Sequence, residues 1–359
     1  MGEQQRLEIL SALHRSARIL ILDEPTAVLA PQEVEELFAV LSRLREAGRS
    51  IIFISHKLSE ITSLCDRVTV LRKGRRVATL PVSEAEVGRL AELLAGRGVP
   101  ELPARAARAP AEIVLELREL TVRSELERVA LERVSLSVRA GELVGVAGIA
   151  GNGQAELEEV LAGVRRADGG ELRFAGRSAA GWSARERHRA GWAQISSDRR
   201  ETGLVGGMSV EENLAVRAHR APPLSRRGFL SPGGMRGVAR AALEEYAVAC
   251  PGPDAPLAAL SGGNQQKVVL ARELRGRPRL IVACSPTRGL DVAATRFVHE
   301  TLLTHRAEGA AILLVSTELD EVLALSDRLA VLFRGRLREV PEGKRSRESV
   351  GRMMLGAEP

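Results

Sequence analysis

Residues 142–163 read ELVGVAGIAGNGQAELEEVLAG. An apolar run, glycines at Gly148, Gly151 and Gly153, and a helix-forming run from Ala155 follow one another without interruption. A strand that passes through close-set glycines into a helix N-terminus aims backbone amides at one point, the arrangement that holds phosphate oxygens. The complete motif is G-x-x-x-x-G-K-[ST]. Here Gln154 stands at the lysine position and Ala155 at the hydroxyl position. Gly148, Gly151, Asn152, Gly153, Gln154 and Ala155 are therefore the candidate phosphate contacts. They lack the cation that offsets β- and γ-phosphate charge and the hydroxyl that holds Mg²⁺.

Around this stretch the chain repeats itself. Residues 2–75, moved forward by 261 positions, fall on 263–336 without a gap. Gly2, Gln4 and Gln5 land on Gly263, Gln265 and Gln266; Pro25-Thr26 lands on Pro286-Thr287, and Asp66-Arg67 on Asp327-Arg328. Charged positions differ: Asp23-Glu24 meets Cys284-Ser285, and His56 meets Thr317. One copy keeps catalytic chemistry and the other has lost it. The second copy opens near Ile113, so by the same offset the first lacks about 150 residues at its front.

Three further motifs carry chemistry. The apolar run ILIL ends in Asp23 and Glu24, a pair suited to positioning Mg²⁺ and polarising an attacking water. His56 closes the next apolar run, SIIFIS, at a spacing that suits a γ-phosphate sensor. Ser261, Gly262, Gly263 and Asn264 open a helix with an amide nest ready for an anion.

Together LSGGNQQK, the DEPT strand, SHK, PTRGLD and the glycine loop resemble ATP-binding-cassette transporter ATPases. The tandem arrangement is similar to the fused double-cassette subunits of bacterial sugar and nucleoside importers, the nucleoside, lipoprotein-dependent branch above all. The resemblance covers essentially the whole chain. It implies an α/β fold: a RecA-like core with β and helical subdomains, one full cassette after the C-terminal part of another. Residues 1–95 would be that part, 96–112 a linker, 113–345 the second, degenerate cassette and 346–359 a tail. In the family, each ATP lies between one cassette's phosphate loop and the other's signature motif. The working site would then join Asp23 as metal ligand, Glu24 as base and His56 as sensor with Ser261, Gly262, Gly263 and Asn264. The degenerate site would join Gly148–Ala155, Cys284, Ser285 and Thr317 with Gly2, Glu3 and Gln4. Ser197 replaces the family's Gln or Glu in its γ-phosphate loop; Asp291 keeps an inter-cassette position that Ala30 does not. Implied cofactors are ATP and Mg²⁺. Implied partners are integral-membrane permease subunits, indirectly a substrate-binding lipoprotein, and a paired cassette. The place is the cytoplasmic face of the cell membrane.

Composition agrees. The net charge of +6 and pI of 9.8 would suit nucleic acid, yet arginines are expected to be scattered and aromatics amount to 3%, too few for base-stacking platforms. No nucleic-acid partner is expected. Cys65, Cys250 and Cys284 have neither metal nor disulfide spacing. Residues 221–237, rich in Pro and Gly, are expected to form a mobile surface loop.

Overall fold

The computed structural model describes residues 17–26, 29, 31–55, 57–72, 74–95, 111–124 and 128–358. They belong to two compact units, 1–103 with 291–293 and 104–290 with 294–359. The expected linker falls almost wholly outside the described residues, as do Gly2, Glu3, Gln4, Ala30 and His56.

In the first unit, β1 (Ile19–Asp23) pairs in parallel with β2 (Ser50–Ile54), Ile19 opposite Ser50 and Asp23 opposite Ile54. The connecting helix α1 (Pro31–Glu46) begins at a proline, whose missing N–H costs nothing in a first turn. Its apolar stripe buries Leu37 and Leu41 against Leu20, Leu22 and Leu64. Helix α2 (Leu58–Leu64), the antiparallel pair β3 (Arg67–Arg72) and β4 (Arg75–Pro81), and α3 (Val87–Ala95) complete the unit.

The second unit opens with long strands β5 (Ile113–Arg123) and β6 (Val129–Arg139), followed by β7 (Leu143–Ala147) and helix α4 (Gln154–Ala162). After these come β8 (Gly169–Phe174), β9 (Arg177–Ser178), α5 (Ala184–Arg189) and β10 (Trp192–Ile195). The next stretch holds α6 (Val210–Ala215), β11 (Ser225–Arg226), β12 (Phe229–Leu230), α7 (Pro232–Glu245) and α8 (Gly262–Leu274). The repeat then supplies β13 (Leu280–Cys284), α9 (Val292–Ala307), β14 (Ala311–Ser316), α10 (Leu319–Leu325), β15 (Arg328–Phe333) and β16 (Arg336–Glu339), before α11 (Arg347–Met354). The central sheet runs β10-β13-β14-β7-β15-β16, parallel except for β16, and an antiparallel sheet runs β6-β5-β8-β9. Every residue of β7, β13 and β14 is buried, which is why these strands read as unbroken apolar runs. Their common core joins Leu157, Val160 and Leu161 of α4 to the antiparallel sheet.

The repeat is visible in the backbone. β1 and β2 correspond to β13 and β14. In the second unit β7 lies between β14 and β15. Among the described residues, no strand lies between β2 and β3, and a cavity of about 960 Å³ lined by both occupies that place. Leu280, Val282, Leu313 and Val315 belong to the core under α4; their counterparts Ile19, Ile21, Ile52 and Ile54 are 61, 64, 50 and 46% exposed. One ion pair tells the same story. Arg306 grips Asp327 with two hydrogen bonds of 2.7 and 2.6 Å, and Asp327 also accepts from the Leu143 amide of β7 at 2.8 Å. The counterparts Arg45 and Asp66 make one bond of 3.1 Å, at an exposed position.

The 221–237 stretch departs from the expected mobile loop. It folds as the hairpin β11–β12, after which α7 starts at Pro232 under a Ser231 cap. Arg227 (φ 52°) and Gly228 (φ 88°) make the two-residue, doubly left-handed turn that matches strand twist, so turn residues read as slack are structured.

Candidate nucleotide-binding site

The glycine loop is built by β7 and by the turn between β15 and β16. Gly153 caps α4 at φ 109°, and a Cβ there would lie 2.5 Å from the Ala130 carbonyl oxygen. Only glycine fits. Asn152 holds the loop from the other side: its Oδ1 accepts from the Arg334 amide at 2.8 Å, and its carbonyl accepts from the Gly335 amide at 3.0 Å.

Gln154 occupies the interior of the loop. Its Nε2 donates to the Ile149 carbonyl at 2.8 Å, and its Oε1 accepts from the Asn152 amide at 3.1 Å. Asn152 Nδ2 donates to the same Ile149 carbonyl at 3.0 Å. A Cβ on Gly148 would stand 2.4 Å from Gln154 Nε2, so this side chain fills the space beneath the first glycine. The substitution therefore does more than remove a charge. The glutamine satisfies one loop amide and one loop carbonyl, and its carbonyl oxygen faces an amide that would otherwise serve an anion.

The strand-end positions show backbone kept while chemistry changed. Glu24 has φ 47° and donates its amide to the Ile54 carbonyl at 2.9 Å. Ser285 has φ 39° and donates to Val315 at 2.7 Å. Strain of this kind persists where the surrounding structure enforces it, and it clusters at functional sites. In the first unit it presents a half-buried Glu24 beside an exposed Asp23. In the second it presents Ser285 beside buried Cys284, whose thiol burial pushes well above its ordinary pKa, with the Glu158 charge adding to the shift.

These residues decide where a divalent cation fits. Gln154, Ala155, Cys284 and Ser285 carry no carboxylate, so the second unit lacks an acidic ligand at the strand-end position itself; Glu158 of α4 is the carboxylate beside the Cys284 thiol. Asp23 offers one carboxylate at the matching point of the first unit. Among the described residues, no group of three or more His, Cys, Asp or Glu side chains is set to hold a metal.

Two carboxylates escaped the motif reading. Glu158, one turn beyond Gln154, accepts from Ser196 Oγ at 2.8 Å and from the Ser197 amide at 3.1 Å, tying the Ser197 loop to α4. Its i+4 spacing from Gln154 was the available signal. Glu60 accepts from Thr26 Oγ1 at 2.9 Å and Ser55 Oγ at 2.8 Å, joining the turn after Glu24 to the residue before His56. The second unit repeats the pairing with Ser316 and Glu321 at 2.7 Å, and His299 Nε2 lies 3.1 Å from the same carboxylate.

At the signature stretch, Ser261 Oγ accepts from Asn264 Nδ2 at 3.1 Å, and Asn264 Oδ1 accepts from the Ala249 amide at 2.9 Å. Ser261 sits at the N-cap of α8 without a side-chain cap bond, so Gly262 and Gly263 open the helix uncapped by that hydroxyl.

A parallel sheet whose inner strand enters a glycine loop and a helix N-terminus, flanked by an antiparallel sheet and a helical segment, defines a P-loop nucleotide-binding fold. The comparisons sharpen this. The ABC transporter family model matches residues 131–288. The chain is 41% identical, over 99% of its length and 71% of the relative's, to the nucleoside import ATP-binding protein NupA of Lactococcus lactis subsp. cremoris. It is 43% identical, over 99% of its length and 65% of the relative's, to the glucose import ATP-binding protein TsgD13 of Haloferax volcanii. A nucleotide-free ATP-binding cassette from an ABC transporter shares the fold at TM-score 0.54 and 24% identity, over 68% of this chain and 96% of that one. The chain belongs to the ATP-binding-cassette transporter ATPase family.

Proposed function

We propose that this chain is the ATP-binding subunit of an importer that couples ATP binding and hydrolysis to uptake of nucleosides, with simple sugars the next substrate class. The observation that carries the reading is the pair of strand ends at Glu24 and Ser285, alike in backbone and opposite in chemistry. It supports hydrolysis in the first unit. Asp23 is the Mg²⁺ ligand there, Glu24 the base that polarises water, and His56 the γ-phosphate sensor; Ser261, Gly262, Gly263 and Asn264 are the donors from the other cassette. When bound, Mg²⁺ supplies charge neutralisation at the phosphates.

The second loop, Gly148–Ala155, binds nucleotide through amides and does not cleave it; Gly2, Glu3 and Gln4 are the signature residues of the first unit. The alternative reading is a catalytically inert cassette that acts only by pairing with a partner cassette. The partners are integral-membrane permease subunits, and through them a substrate-binding lipoprotein, at the cytoplasmic face of the membrane. Among the described residues, no helix is long and apolar enough to cross a membrane.

The relatives' names support both substrate classes, and the GNGQ, SPTRGLD and STELDEVLALSDR segments favour the nucleoside branch. Uptake of labelled guanosine and ribose, measured in cells with and without the gene, tests this. Guanosine uptake is expected to fall to background while ribose uptake stays. Loss of ribose uptake alone points to the sugar class, and loss of neither contradicts the importer reading.

A further inference from the structure

Residues 213–243 hold six arginines, Arg217, Arg220, Arg226, Arg227, Arg236 and Arg240, and no aspartate or glutamate. The arginines are thus not evenly scattered: this stretch alone carries as much positive charge as the whole chain's formal excess of +6. Two of the six are committed. Arg217 pairs with buried Glu273 at 3.0 Å, and Arg236 with Glu211 at 3.5 Å. Arg220, Arg226, Arg227 and Arg240 are exposed and make no ion pair with a carboxylate among the described residues. Helix α5 adds exposed Arg185 and Arg189 to the same neighbourhood. Arg189 and then Arg220 hold the Arg185 guanidinium below its ordinary pKa by like-charge repulsion.

The β11–β12 hairpin gives this charge an apolar tip. Its base is clamped. Leu224 and Ser225 are buried, the Ser225 amide donates to the Ala221 carbonyl at 3.0 Å, and the Ser231 amide donates to Leu224 at 2.8 Å. From that base the turn holds Phe229 80% exposed and Leu230 56% exposed, next to Arg226 and Arg227. Water on one side and hydrocarbon on the other suit this combination: guanidinium groups meet phosphates while the apolar side chains enter the acyl boundary. A single aromatic is a poor platform for stacked bases, which need several.

We propose that the hairpin, together with the exposed arginines of this stretch, is a docking surface for an anionic lipid headgroup layer. The surface rests on the membrane-peripheral placement given above, but lipid binding needs neither nucleotide nor transported solute. The test is sedimentation of the purified full chain with phosphatidylcholine vesicles, plain or containing about 30 mol% phosphatidylglycerol. Binding to the anionic vesicles and not to the plain ones is expected, and high salt should release it.

Arg226→Glu with Arg227→Glu should weaken partitioning by about 25-fold or more, and Phe229→Ser by about tenfold. Both changes lie on an exposed tip, so the thermal unfolding of each variant should match that of the parent chain. Equal binding to both vesicle types, binding to neither, or unchanged binding after charge reversal overturns the proposal. Unchanged binding of Phe229→Ser also overturns it, since mere adsorption to polyanions would then suffice. Guanosine uptake measured separately tells the two readings apart: uptake that depends on the gene, in a protein that ignores lipid, removes this surface alone.

Discussion

Amides of residues 143–147 should exchange with deuterium at least about a thousandfold more slowly than those of residues 19–22 and 51–54, although all three segments are apolar strands of one repeated design. Exchange from a core strand requires an opening close to global unfolding, whereas exposed elements open at little cost. β7 is buried along its whole length and paired on both sides. In the first unit, β1 and β2 pair only with each other among the described residues, and Ile19, Ile21, Ile52 and Ile54 remain about half exposed or more. Full burial of each isoleucine is worth about 1.5–3 kcal/mol, so leaving four of them half exposed forgoes about 3–6 kcal/mol, a large share of a marginal domain's stability. Open strand edges also make this unit the expected source of aggregation. Equal exchange in the three segments, or slower exchange in 19–22, would contradict the account.

Gln154→Lys should tighten ATP binding to the second unit by about tenfold to a hundredfold. The glutamine occupies the Asn152 amide and the Ile149 carbonyl and lies under Gly148. Lysine removes the competing oxygen and supplies a charge-assisted bond to phosphate, worth about 1.5–3 kcal/mol. Equilibrium titration with a fluorescent ATP analogue reads this directly. Turnover should not appear with the tighter binding, because Cys284 and Ser285 still offer no carboxylate. An unchanged or weaker affinity would show that the glutamine is not what limits the loop.

Much of the fold was legible because LVGVA at 143–147 and AILLV at 311–315 are buried on both faces and therefore read as continuous apolar runs, and ILIL at 19–22 reads the same way although one of its faces is exposed. The repeat did the rest, since a copy with known spacing places the strand ends even where chemistry has drifted. The hairpin at 225–230 was misread because proline, glycine and arginine signal turns without saying whether the turn is rigid; that depends on the buried Leu224–Ser225 base. Glu60 and Glu158 were missed for another reason. A carboxylate on a short helix looks solvated until the hydroxyls it accepts from, 5 to 38 residues away, are brought to it by the fold. Gln154 was legible as the loss of a lysine. Its own bonds to the loop were not, because motif comparison reports what is missing and says nothing about what the replacement holds.

The central claim is that the hydrolytic carboxylate lies in the first unit, and that the second unit's glycine loop holds nucleotide without cleaving it. Steady-state ATP turnover of the purified 359-residue chain tests this most directly, run beside Glu24→Gln and Gln154→Ala. The account predicts that all three stay below about 1 s⁻¹, the low end of typical enzyme rates, since no unit here combines a lysine-bearing loop with a carboxylate. Turnover above that rate which Gln154→Ala abolishes and Glu24→Gln leaves intact would place the working site in the second unit and contradict the account.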